Sequence, residues 1–180
     1  VFDFDGVFTD GKVGIDHEGN IIKFYNCKDS THLNLLRERN IKTGVISGFQ
    51  ENNSQLNILK RLKIDFIHLG SHHKLQILQK WCHELKISIE TNVAYIGDDI
   101  NDIDVLKKVA FAACPNDANV SCKNIVDMIT KRNGGDGCVM EFIDYLNFDS
   151  KESCIFSIYY TISGQLLALW PPNAPWVTIQ

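Results

Sequence analysis

The sequence predicts an α/β fold, a mostly parallel sheet with helices on both faces and a β-hairpin inserted near its start. Two observations carry this. Strand-like apolar runs recur at Val1–Phe4, Lys42–Ile46, Phe66–Leu69, Val93–Ile96 and Ala110–Ala113, and the segments between them place apolar residues at helical spacing. Strands that alternate with helices at this interval form βαβ units, whose crossovers lay the strands parallel and cover both faces of the sheet. With 180 residues, 44% apolar and 22% charged, the chain has the composition of one domain with a sizeable core.

The first strand ends in Asp3-Phe4-Asp5 before a turn at Gly6. A strand is usually about 5 residues long, so this one is expected to have lost its beginning and the chain to be a fragment of a longer protein. Lys12–Asp16 and Asn20–Tyr25 flank the turn signal His17-Glu18-Gly19, which predicts a hairpin over 12–25 beside the carboxyl ends of the strands. Leu33, Leu35, Leu36 and Ile41 mark the first helix, and Leu56, Leu59 and Leu62 the second. Leu75, Leu78, Trp81, Cys82 and Leu85 mark the third, and Ile103, Leu106 and Val109 the fourth.

Residues 1–148 are read as the folded domain and 149–180 as a C-terminal extension. Cys154–Trp170 carries no charged side chain and is followed by Pro171-Pro172-Asn173-Ala174-Pro175. Ser157, Thr161, Ser163, Gly164 and Gln165 dilute it, and it falls short of the roughly 20 apolar residues of a bilayer span. No membrane association is expected, and the extension is read as a docking strand or a poorly ordered tail.

Eighteen Lys+Arg against 22 Asp+Glu give a net charge of -4, without the positive excess that a phosphate backbone requires, so no nucleic-acid partner is expected. The six cysteines are scattered and form no CxxC pair, the usage of reduced thiols in a cytosolic or nuclear protein.

Asp3 and Asp5 stand two residues apart, hence on the same side of a strand. Carboxylates held that close repel unless a cation lies between them or one keeps a proton. Such a pair can attack phosphorus, protonate a leaving oxygen and then activate water, with Mg²⁺ neutralising the phosphoryl oxygens. The same residues also fit an acidic Asx turn. A second apolar run, Val93-Ala94-Tyr95-Ile96, ends in Gly97-Asp98-Asp99-Ile100-Asn101-Asp102. A hard cation draws carboxylates from more than one segment, which makes Asp98 the partner for Asp3. Asp99 and Asp102 separately also fit an acidic N-cap before the fourth helix.

Between these motifs stand Ser47-Gly48, at a strand end, and Lys74, at the start of the third helix. A hydroxyl with adjacent backbone N–H groups and an ammonium are what a phosphoryl group needs once a metal takes its other oxygens. Alone, Ser47 reads as a turn residue and Lys74 as a solvated lysine. His68, His72 and His73 are read as ordinary exposed imidazoles, because a metal site needs convergent geometry and oriented ligands.

Together and in this order, the four motifs resemble those of the haloacid dehalogenase superfamily over roughly residues 1–148. The resemblance implies a Rossmann-like fold and a phosphatase with Asp3 as nucleophile and Asp5 as acid/base. It further implies phosphate contacts from Ser47, Gly48 and Lys74, and Mg²⁺ held by Asp3, the Asp5 carbonyl and Asp98, with Asp99 and Asp102 in support. The hairpin after the first motif is similar to that of capless 3-deoxy-D-manno-octulosonate 8-phosphate and nonulosonate 9-phosphate phosphatases, which implies a phosphorylated sugar acid as substrate and a homotetramer through hairpin 12–25.

The chain also resembles the C-terminal module of animal CMP-sialic acid synthetases, in Tyr25-Asn26-Cys27-Lys28-Asp29, Lys74-Leu75 with Trp81, Cys114-Pro115-Asn116-Asp117-Ala118, and Asn133-Gly134-Gly135-Asp136-Gly137 with Glu141-Phe142. This likeness implies an alternative role, an oligomerisation module built on the hairpin and on loop 133–137, with little or no phosphatase activity. Vertebrate modules of this kind have lost part of the phosphatase set, whereas Asp3, Asp5, Ser47, Lys74 and Asp98 are all present here. Two positions depart from the phosphatase pattern, with Asp136 and Phe49 each standing where an Arg is usual.

Overall fold

Alternation along short buried strands builds a core on each side of a parallel sheet. The computed structural model describes residues 1–50, 53–148, 157–160 and 166–169. In chain order the elements are β1 (Gly14–Ile15), β2 (Ile21–Ile22), α1 (Cys27–Glu38), β3 (Gly44–Ser47), α2 (Asn53–Arg61), β4 (Phe66–Leu69), α3 (Lys74–Leu85), α4 (Ile89–Asn92), β5 (Ala94–Ile96), a 3₁₀ turn (Ile100–Asp102), α5 (Ile103–Leu106), β6 (Phe111–Cys114), α6 (Val120–Lys123), β7 (Met128–Ile129), α7 (Cys138–Phe148), β8 (Ser157–Tyr160) and β9 (Leu166–Leu169).

β3 pairs parallel with β4, and β5, β6 and β7 pair parallel in that order. The segment at Phe2 joins the two sets, bridging Val45 on one side and Ile96 on the other. The Phe2 N–H donates to the Gly44 carbonyl at 2.8 Å, and the Asp3 N–H to the Ile96 carbonyl at 2.9 Å. The spatial order is therefore β4-β3-Phe2-β5-β6-β7. The chain starts at the centre, builds outward to one edge, and returns to build toward the other. Asp3 leaves the sheet at this reversal, where open α/β sheets bind ligands.

Val45, Ile96 and Ala113 face one core, with Leu33 and Leu36 of α1, Leu59 of α2, and Phe142 and Ile143 of α7. Their strand neighbours Ile46, Tyr95 and Ala112 face the other, with Leu78 and Cys82 of α3, Val105 and Leu106 of α5, and Cys122 of α6. The expected strand at Val1–Phe4 is reduced to a bridge at Phe2, because the chain turns at once. The Val7, Phe8 and Thr9 N–H groups all donate to the Phe4 carbonyl. β7 and the helices α4, α6 and α7 add to the elements predicted.

The hairpin pairs Gly14 with Ile22 and Ile15 with Ile21, fewer residues than the predicted span. Asp16 Oδ1 holds its turn, accepting the Glu18 N–H at 2.9 Å and the Asn20 N–H at 2.8 Å. Its pattern is inverted. Ile15 and Phe24 are 71% and 79% exposed, whereas Lys23 is buried.

β8 and β9 pair antiparallel from Ser157↔Leu169 to Tyr160↔Leu166. The rest of 149–180, and with it the reading of this segment as a docking strand or loose tail, lies outside the described residues. Among the described residues no helix is long and apolar enough to cross a membrane, and Cys27, Cys82, Cys114, Cys122 and Cys138 are free thiols.

Candidate active site

Two glycines allow the loops of the site to meet. Gly6 has φ +80°, and a Cβ there would lie 2.0 Å from Asp98 Oδ2, so only glycine lets the first acidic turn touch the second. Gly134 approaches as closely from the other side, since its Cβ would fall 1.9 Å from the Gly6 carbonyl oxygen. The Gly135 N–H donates to the Val7 carbonyl at 3.0 Å. The glycines of loop 133–137 thus brace the Asp3–Gly11 turn of their own chain.

Asp3 lies at the floor, 4% exposed. Its Oδ1 accepts the Phe4 N–H at 2.6 Å, and its Oδ2 is 2.9 Å from Lys74 Nζ. Lys74 is 1% exposed, not the solvated lysine that its type suggests. A cation in the first turn of a helix opposes the helix dipole, so local preference does not explain Lys74; its partners do. Beyond Asp3, its Nζ donates to Asp102 Oδ1 at 2.7 Å. The Tyr95 hydroxyl donates to the same oxygen at 2.5 Å, and the N–H groups of Asp98 and Asp99 donate to Asp102 Oδ2 at 3.0 and 3.2 Å.

Asp102 thus holds four donors and is the carboxylate that balances Lys74. Asp99 caps the 3₁₀ turn reciprocally with Asp102 and accepts Asn119 Nδ2 at 3.1 Å, which fits the capping reading.

The remaining negative charge falls on Asp3 and Asp98. Burial, and then the nearby Asp102 carboxylate, push the Asp3 carboxyl well above its usual range. The same two causes raise Asp98 to about 7. Burial opposes the charge on Lys74, but Asp3 and Asp102 outweigh it and its pKa rises.

Asp3, Asp98 and Asp102 each bring an oxygen within 4.8 Å of the others. Three carboxylates against one ammonium leave two negative charges, the charge that a divalent cation supplies. Hard oxygen donors of this kind suit Mg²⁺. Because Asp102 is saturated with hydrogen bonds, Asp3 and Asp98 are the side chains that fit a metal. His68, His72 and His73 form no such group among the described residues.

The Asp5 carboxylate turns away from this cluster. Lys23 Nζ donates to its two oxygens at 2.7 and 2.8 Å, and the Thr9 hydroxyl to Oδ1 at 3.2 Å. Only its backbone carbonyl is left for the metal contact that the resemblance implies. Across the cleft, Ser47 Oγ accepts the Phe49 N–H at 3.2 Å and Gln55 Nε2 at 3.0 Å. With its lone pairs so occupied, its O–H is left to donate into the cleft.

Asp3, Asp5, Ser47, Gly48, Asp98 and Asp99 all line this cleft of about 750 Å³. Six of the eight residues picked from the sequence thus line one cleft, and Lys74 and Asp102 join it from behind through Asp3. The structure adds Tyr95, Gln55 and Lys23, which pattern reading passed over. Lys23 carried no signal either, because only the pairing register fixes which face of the hairpin it takes.

The profile of the haloacid dehalogenase-like hydrolases matches residues 8–143. The chain belongs to this family. The 3-deoxy-D-manno-octulosonate 8-phosphate phosphatases KdsC of Salmonella typhi and Escherichia coli K12 are each 30% identical to it, over 148 and 146 residues, covering 81% of this chain and 77% of theirs. Among solved structures, the Moraxella catarrhalis enzyme of that name, in complex with magnesium, phosphate and KDO, superposes with a TM-score of 0.77 at 28% identity, covering 81% of this chain and 82% of that one. The cobalt-bound Haemophilus influenzae enzyme gives 0.75 at 28% identity, covering 81% and 84%.

This haloacid dehalogenase-like hydrolase is by family a phosphoric monoester hydrolase, and among the described residues no separate cap domain covers the cleft. The alternative role as a cytidylyltransferase assembly module draws no support from these relatives, which are phosphatases by name.

Proposed function

We propose that the chain is a Mg²⁺-dependent phosphatase of a phosphorylated sugar acid, an ulosonate or nonulosonate phosphate, acting through an aspartyl-phosphate on Asp3. The observation that carries this reading is the buried Asp3 at the floor of the cleft, held by Lys74 at 2.9 Å and facing Asp98. A Mg²⁺ ion held by Asp3, the Asp5 carbonyl and Asp98 would neutralise the phosphoryl oxygens.

An Asp3 carboxylate oxygen attacks phosphorus as the phosphorus–oxygen bond to the sugar breaks, and the leaving oxygen takes its electron pair and a proton from Asp5. Asp5 then removes a proton from water, whose oxygen attacks the phosphorus of the acyl-phosphate. The bond to Asp3 breaks, and phosphate and the free carboxylate return. Ser47 donates its O–H to a phosphoryl oxygen beside Gly48, while the Lys74 ammonium, with two of its protons on Asp102 and Asp3, offers the third. Asp102 and Asp99 keep Lys74 and the second loop in place.

The cleft volume suits a sugar phosphate, and the relatives' substrate supports a sugar acid. The sequence likeness to sialic-acid enzymes adds nonulosonate 9-phosphates to the candidates. The apolar side chains Val13, Ile15, Ile22 and Phe24, exposed on one small hairpin, support self-association there into a homotetramer. The test of substrate class is phosphate release from a panel including octulosonate 8- and nonulosonate 9-phosphates, with Mg²⁺ and then with EDTA. Metal-dependent turnover selective for one of these is expected; a folded protein silent across the panel would defeat the reading.

A further inference from the structure

The inverted hairpin sends one charged side chain into the site. Lys23 follows β2, and alternation puts Ile22 and Phe24 outside while Ile21 and Lys23 turn inward. None of the Lys23 side chain is exposed. Its ammonium lies 4.0 Å from the centroid of the Phe49 ring and 5.5 Å from that of Phe4, a favourable setting for a cation. From there it donates to both oxygens of Asp5, at 2.7 and 2.8 Å. Phe49 follows the phosphate-loop residues Ser47 and Gly48, so one ammonium ties together the hairpin, the acidic turn and the loop after β3. Phe49 and Asp5 line the cleft, and the Lys23 ammonium sits behind them.

We propose that Lys23 is the positioning residue of the site's acid/base, fixing the direction in which the Asp5 carboxyl meets the leaving oxygen. Lys23 is shielded from solvent, so it acts through Asp5 and does not hold substrate. Its importance scales with how much the reaction depends on Asp5. An alkoxide leaving group, as in a sugar phosphate, needs the proton that Asp5 delivers, whereas p-nitrophenolate departs without it. A lysine that only stabilised the hairpin would affect both reactions alike.

This inference rests on the proposed role of Asp5, and its test separates the two. The variants Lys23→Met, which keeps the shape of the side chain, and Lys23→Arg, which keeps the fork onto a carboxylate, are compared with the parent on 3-deoxy-D-manno-octulosonate 8-phosphate and on p-nitrophenyl phosphate. Lys23→Met is expected to lower the rate of Asp3 phosphorylation, read in a single turnover, by about 100-fold on the sugar phosphate and by less than about threefold on p-nitrophenyl phosphate, while hydrolysis of the acyl-phosphate slows on both. Lys23→Arg should restore most of the loss. Equal losses in the phosphorylation step on the two substrates, or no loss, would overturn the proposal.

A crystal structure of Lys23→Met reads the clamp independently of turnover. An Asp5 carboxylate displaced from the Thr9 hydroxyl is expected, and one that stays in place would overturn the proposal even if the phosphatase reading survives. A displaced Asp5 in the variant of a parent that itself turns over neither phosphate would support the clamp and count against the reaction.

Discussion

At the scale of single residues, the site is an excess of negative charge held in place by hydrogen bonds. Asp102 accepts four hydrogen bonds, and burial beside it pushes the Asp3 carboxyl well above its usual range and Asp98 up to about 7, so at neutral pH this pair holds a proton. A divalent cation must displace that proton. Its affinity should fall as the pH drops through 7, by about tenfold per pH unit for each proton released on binding. Calorimetry with Mg²⁺ at pH 6, 7 and 8 checks this, and an affinity flat across the range would count against Asp98 as a ligand.

Asp3, Asp5, Ser47 and Asp98 were legible in the sequence because each ends an apolar run, where a charge or hydroxyl has no packing reason to stand. Tyr95 and Gln55 were not. A tyrosine inside a buried strand and a glutamine on a helix look like ordinary filler until the partner of the hydroxyl or amide is known.

At the scale of elements, two pieces carry more than their length suggests. α7 closes one core, with Phe142 packed edge-on to Phe2 at 6.0 Å and stacked on Phe111 at 6.2 Å. Asp29 of α1 accepts the Met140 N–H at 2.9 Å in the first turn of α7, which ties the two helices. The spacing of Val139, Phe142, Ile143 and Leu146 was present in the sequence, but it follows a glycine-rich loop after the strand–helix alternation has ended. β7 pairs over only two residues, too few to show any period.

The hairpin was legible from its turn, but its sidedness was not, because register decides which face each residue takes and only pairing fixes register. Its exposed apolar side chains give a direct prediction. Phe24→Glu, at a position 79% exposed, should leave thermal stability within about 0.5 kcal/mol and convert the assembly to monomers in sizing chromatography with light scattering. A parent that is already monomeric, or a variant assembly of unchanged size, would contradict association through this hairpin.

At the scale of the whole molecule, one sheet reversal explains why residues so distant in sequence form one site. Asp3, Ser47 and Asp98 stand at or just beyond the carboxyl ends of the Phe2 segment, β3 and β5, which are neighbours in space, and α3 begins with Lys74 on the same rim. The α/β class and this common rim could be read from the alternation of elements. The strand order could not, since it depends on which way each crossover turns, and that is settled by packing on the two cores.

In the proposed reaction the phosphoryl group passes through Asp3. The most direct test reduces the protein with borohydride during turnover of p-nitrophenyl phosphate and maps the product by mass spectrometry. The Asp5→Asn variant is used as well, because it can still be phosphorylated by a substrate with a good leaving group but lacks the base that activates water. Reduction of an acyl-phosphate converts its aspartate to homoserine, so homoserine at position 3, accumulating in Asp5→Asn and absent without Mg²⁺, is the predicted result. Turnover that leaves Asp3 unmodified in both proteins, or that marks another carboxylate, would contradict the account.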